Sequence, residues 1–111
     1  FGGDAEYGPV YTDVAKRHGG FDLSLLSIGA FLPRVVMQGS HCVPEDCIRI
    51  GSDLKAKNHL AMHWGTVKLG EDTNEEAIRR FYNGAKKLGI PRERVWVLKI
   101  GETRIISKSV R

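Results

Sequence analysis

Cysteine is scarce in this sequence: Cys42 and Cys47 are the only two among 111 residues. Two are too few for the disulfide frameworks of small secreted domains, and their spacing straddles a helix start, so they are read as free thiols in a reducing compartment. No Cys-x-x-Cys pair accompanies them and no four-ligand set is completed, which excludes a structural zinc knuckle. Long apolar runs are missing too. None approaches the roughly 18 residues that a membrane-spanning helix requires. No basic segment followed by an apolar stretch opens the chain, so no secretory leader is visible and the expected compartment is the cytoplasm, although Phe1 at the first position leaves a leader upstream open. Linkers, repeats and low-complexity tracts are absent as well, and residues 1–111 read as one domain.

Dense runs of one charge are also lacking, despite a formal net charge of +4 and a sequence pI near 9.3. Residues 1–66 carry six basic and seven acidic side chains, and residues 67–111 carry eleven basic and six acidic. The surplus is dispersed along a helix and extended segments and reads as a solvated face, so a nucleic-acid partner is not expected.

What is present is a regular alternation of strand and helix signals. Val10–His18 reads as a short helix closed by Gly19-Gly20, and Leu23–Ile28 as a strand preceded by a strand stub at Phe1–Gly3. Pro44 suits a first helical position, with Glu45 and Asp46 at the positive end of the dipole and a core stripe of Cys47, Ile50, Gly51 and Leu54. His59–Met62 reads as the next strand. Asn74 is expected to cap a third helix, in which Ala77, Ile78, Phe81, Ala85 and Leu88 recur at helical spacing. Val95–Ile100 reads as a strand, and Thr103–Ser107 as another in hairpin or extended continuation. This order implies an α/β fold with a largely parallel or mixed sheet, the final strand being a candidate antiparallel edge. Ligands of such sheets gather outside the carboxyl ends of the strands, where Asp4, Gly29 and His63 fall.

A carboxylate and an imidazole at strand ends are donors that a zinc site would use. Asp4 also has the simpler role of capping a turn, and His63 that of a hydrogen-bonded structural histidine; the flanking Trp64-Gly65-Thr66 favours a site, because glycine permits close backbone approach and tryptophan excludes water. His41, just before a helix N-terminus, is placed to meet an anion or to sit in an exposed loop. Arg34 either binds phosphate or pairs with a surface carboxylate. His18 and His59 are read as structural.

Taken together, Gly3-Asp4-Ala5-Glu6-Tyr7, Gly20-Phe21-Asp22-Leu23, Ile28-Gly29-Ala30-Phe31-Leu32-Pro33-Arg34, Ser40-His41-Cys42-Val43-Pro44-Glu45, His63-Trp64-Gly65-Thr66 and Gly101-Glu102-Thr103 resemble the C-terminal half of metallo-β-lactamase-fold hydrolases. The branch is that of N-acylphosphatidylethanolamine-hydrolysing phospholipase D. The resemblance implies half of an αββα sandwich. It implies that Asp4 bridges two Zn2+ ions, that His63 ligates the second, and that His41 contacts substrate beside them, a phospholipid or another phosphodiester. Where the family commonly has Asp-Thr-Gly-Tyr, this chain has Asp4-Ala5-Glu6-Tyr7, which adds a carboxylate near the rim. The family's His-x-His-x-Asp-His motif has no match here. The expectation is therefore a fragment or truncated zinc-dependent hydrolase, inactive alone, its bare sheet face covered by a second copy in a homodimer or by an N-terminal half. The alternative is a stand-alone oligomeric binding or scaffold domain without the chemistry.

Overall fold

Among the described residues three short parallel strands, β1 (Phe21–Ser27), β2 (Ala56–Met62) and β3 (Val95–Trp96), lie side by side in that order and carry the helices of this α/β chain. The computed structural model describes residues 1–107. Helix α1 (Val10–His18) ends where Gly19 takes a left-handed conformation at φ 74° and donates its N–H to the Ala15 carbonyl at 2.8 Å. Strand β1 (Phe21–Ser27) follows, then a single turn, α2 (Arg34–Met37). Helix α3 (Pro44–Asp53) begins at its proline with Glu45 and Asp46 in the first turn, as its sequence signals predict. Strand β2 (Ala56–Met62), helix α4 (Asn74–Lys87), a 3-10 turn at Arg92–Arg94 and strand β3 (Val95–Trp96) complete the order.

Alternation along the strands separates two faces. Ser24, Leu26, His59, Ala61 and Val95 are buried on the face that α3 covers, where they join Ile48 and Ile50 of α3 and Ala77, Phe81 and Ala85 of α4. Leu23, Leu25, Leu60 and Met62 alternate with them and are only half-buried. The arrangement is compatible with half of an α/β sandwich. Helices α3 and α4 approach closely at Gly84, where a Cβ would stand 3.0 Å from both Glu45 Cα and Ile48 Cγ2.

The structure corrects several expectations. The two thiols are not free: Cys42 and Cys47 form a disulfide, both are buried, and no free cysteine remains among the described residues. Cys42 stands two positions before the helix and Cys47 is its fourth residue, which brings their Cα atoms to 5.8 Å, inside the usual disulfide window. The free-thiol argument for a reducing compartment falls with that pairing. The cap of α4 is Thr73 rather than Asn74: its hydroxyl accepts the Glu76 N–H at 3.1 Å, in the Thr-x-x-Glu spacing of a capping box.

The expected strand Val95–Ile100 lasts two residues and then enters a turn. There the Glu102 N–H reaches the Lys99 carbonyl and the Glu102 carboxylate accepts the Lys99 N–H, both at 2.9 Å. Thr103–Ser107 forms no strand, and among the described residues the sheet has no antiparallel edge. Phe1–Gly3 is not a strand either, though the Gly2 N–H bonds the Leu25 carbonyl at 3.0 Å.

His59 is a core residue, as its lack of motif context suggests. Its Nδ1 lies 2.8 Å from the Ser24 hydroxyl and its ring fills the space beside Gly51, where a Cβ would collide with it. Burial, aided by the Arg94 charge, pushes its pKa down to about 4. Folded His59 thus stays neutral while the unfolded chain takes up a proton below about 6.5, so its contribution is complete above that pH and is lost as pH falls towards 4. Unfolding free energies from urea titrations should show about 3 kcal/mol of His59-linked loss across this window. In His59→Gln that component should vanish.

Candidate functional site

The chain places its candidate metal-ligating side chains on the rim where β1 and β2 end. Strand pairing continues one residue past the strands, through the Ile28 N–H to the Met62 carbonyl at 3.1 Å. The next residues, Gly29 and His63, then sit against one another. A Cβ at Gly29 would collide with the His63 carbonyl oxygen, so only glycine admits this approach. His63 has φ 62°, a left-handed conformation that few non-glycine residues adopt.

Asp4 reaches the same rim from the N-terminal segment. Its Oδ1 stands 3.2 Å from His63 Nε2, with the carboxylate exposed and the imidazole mostly covered. His41 arrives from the loop between α2 and α3, and its ring stacks on that of His63 with centroids 5.1 Å apart and planes 26° from parallel. One donor atom from each of Asp4, His41 and His63 lies within 4.8 Å of the others. The Nδ1 atoms of both histidines are buried without a hydrogen-bond partner. Of the four residues singled out from the sequence, three therefore converge. Arg34 stands behind them: its Nη1 donates to the carbonyls of Phe31 and His41 at 3.2 and 2.8 Å, and its Nη2 to Glu6 at 3.0 Å.

Two further carboxylates hold the loops around the site, Asp72, which sequence reasoning passed over, and Glu6. The Asp72 carboxylate accepts the N–H groups of Ala30, Phe31 and Leu32 at 3.1, 3.0 and 3.1 Å, pinning the loop after β1 to the segment before α4. Glu6, expected as an added carboxylate at the rim, is instead tied inward to Arg34 and to the N–H groups of Tyr7 and Gly39. Burial by itself would raise its pKa, but these donors together hold it below the ordinary carboxylate range. No local signal marks the role of either residue, because Asp72 acts 40 to 42 positions away and Glu6 acts 28 and 33 positions away. Beside His63 opens a cleft of about 300 Å3, lined by Gly29, Trp64, Gly65, Asp72 and Thr73 among others.

Two imidazoles and a carboxylate suit zinc, whose tetrahedral ligands at about 2.0–2.1 Å stand roughly 3.4 Å from one another. The Asp4–His63 separation meets that spacing, and buried imidazole nitrogens without a partner are what a metal or substrate group would satisfy. The residues present fit one such ion.

No family model matches the chain. N-acyl-phosphatidylethanolamine-hydrolyzing phospholipase D 1 of Caenorhabditis elegans is 32% identical over 71 residues, 63% of this chain and 20% of that protein. The likeness supports a related hydrolase family. The mitochondrial N-acyl-phosphatidylethanolamine-hydrolyzing phospholipase D of Saccharomyces cerevisiae is 35% identical over 61 residues, 54% of the chain and 13% of the yeast protein. An uncharacterized protein of Mycobacterium tuberculosis is 33% identical over 89 residues, 78% of the chain and 23% of the relative. The chain thus spans about a quarter or less of the curated relatives it matches.

Replacing Gly29 with alanine should force the loop away from His63. The expected result is a loss of about 1–3 kcal/mol in urea unfolding and displaced His63 ring resonances in NMR spectra; an unchanged midpoint and spectrum would contradict the close packing.

Proposed function

We propose that this chain supplies Asp4, His41 and His63 to the metal centre of a zinc-dependent hydrolase of the metallo-β-lactamase superfamily, one that cleaves phosphodiesters of the N-acylphosphatidylethanolamine kind. The convergence of these three side chains within 4.8 Å carries the reading. The similarity to two N-acylphosphatidylethanolamine-hydrolysing phospholipases D supports the substrate class.

In this reading Asp4 and His63 would hold the zinc. When bound, zinc acts as a Lewis acid on a phosphoryl oxygen and brings the pKa of a bound water towards neutrality. His41, held parallel to the His63 ring, orients the phosphate by offering it an imidazole nitrogen. Trp64, half-buried at the cleft wall, keeps bulk water from the reacting groups. Substrate contact falls to His41 rather than Arg34, whose guanidinium is already engaged by protein acceptors. With His41 turned to the substrate, Asp4 and His63 leave the zinc short of the three protein ligands a catalytic site takes, so the chain alone is inactive.

Calorimetric titration of zinc into the metal-free chain should give one ion per chain, and His63→Ala should abolish binding; no binding by the unaltered chain overturns the reading. With zinc present, vesicles of N-acylphosphatidylethanolamine should stay intact, and turnover that His63→Ala removes would refute inactivity.

The half-buried Leu23, Leu25, Leu60 and Met62 favour a second reading, a homodimeric scaffold domain that covers this sheet face with a second copy. Sedimentation equilibrium would then give a dimer that carries no zinc.

A further inference from the structure

We infer that Glu6 and Arg34 are positioning residues, whose ion pair joins the loop carrying Asp4 to the loop carrying His41 and sets the separation of those two donors. The inference deepens the proposed metal-site reading and rests on it for metal affinity alone, since the loop geometry is a property of the chain without metal.

Glu6 follows Asp4 by two residues, and its carboxylate makes three contacts. Oε1 accepts the Tyr7 N–H at 2.9 Å, which fixes the carboxylate to its own loop. Oε2 accepts from Arg34 Nη2 at 3.0 Å and from the Gly39 N–H at 3.1 Å, two residues before His41. From the other half of the same guanidinium, Nη1 donates to the His41 carbonyl itself at 2.8 Å and to the Phe31 carbonyl at 3.2 Å. One planar group therefore holds Glu6, the backbone of His41 and the end of the loop after β1. A backbone bond runs beside it, from the Cys42 N–H to the Ala5 carbonyl at 3.1 Å. The two loops meet through polar contacts on both sides of the cluster.

The chemistry of the pair suits this role. Charge-assisted bonds are shorter and stronger than neutral ones, and a guanidinium presents its donors in a rigid plane that an ammonium lacks. Both side chains remain partly exposed, 34% for Arg34 and 25% for Glu6, and neither belongs to the core cluster. A pair so placed adds little to global stability. Its loss instead frees the relative motion of two loops whose side chains must meet at ångström tolerance. Groups behind metal ligands that orient them are worth on the order of 10- to 100-fold in metal affinity.

The test uses the full chain in metal-free form with Glu6→Gln and with Arg34→Lys, which keeps the charge and loses the planar fork. Nuclear Overhauser contacts between the His41 and His63 rings should disappear in each variant, while contacts that report the β1–β2 register, such as Leu25 to Leu60, persist. Cobalt titrated as a spectroscopic probe should bind on the order of 10- to 100-fold more weakly than to the unaltered chain. Should Glu6→Gln fail to fold, Arg34→Lys decides alone. Ring contacts retained in a folded variant overturn the inference. If the unaltered chain takes up no cobalt, the metal reading fails while the ring contacts still decide positioning.

Discussion

The parallel pairing of β1 with β2 is the constraint on which the rest of this structure depends. It sets Leu25 beside Leu60 and Ser27 beside Met62, and it ends with a bond from Ile28 to Met62. Because both strands run the same way, both chains leave the sheet on one rim, and the residues that follow share one small volume. Gly29 and His63 are those residues. Their contact commits His63 to a left-handed backbone, and glycine is the residue that makes room for it.

Hydrophobic burial explains why this pairing persists, but not where the site's side chains stand. The core is formed by Leu26, Ile28, Phe31, Ile48 and Phe81, on the face that α3 and α4 cover. The rim has little apolar area of its own and is held by directional contacts: three N–H groups on Asp72, two N–H groups and a guanidinium on Glu6, and the covalent link from Cys42 to Cys47. Such contacts contribute modestly to net stability, because water offers equivalent partners to the unfolded chain. They specify geometry, which is what a site of two imidazoles and a carboxylate requires. The Cys42–Cys47 link lies next to His41 and anchors its loop to the first turns of α3.

Helices were the most legible part of this sequence. Val10–His18 has the bounds expected of it, and the helix start at Pro44 follows from proline, Glu45 and Asp46 acting on the same few backbone groups. Strands were less so. A β-branched and aromatic run such as Val95–Ile100 states a preference, but a strand exists only where a neighbour offers a ladder, and Glu102 folds the chain into a turn instead. Within the candidate site, Asp4, His41 and His63 could be named from residue type and flanks, whereas the bonds made by Glu6 and Asp72 could not, because their partners lie 28 to 42 positions away. The cysteines misled for a different reason: scarcity argued for free thiols, but they stand five positions apart and the turn into α3 brought them together.

By itself the sequence determined the alternation of helix and strand, the helix ends and the polar residue types available at strand termini, since each depends on backbone and side-chain preferences within a few positions. Only the tertiary structure decided that Asp4, His41 and His63 face one another, that Arg34 bonds both Glu6 and the His41 carbonyl, and that Cys42 is bonded to Cys47. These depend on distances between segments remote in sequence or on the path of a turn, and the packing of the whole chain sets them.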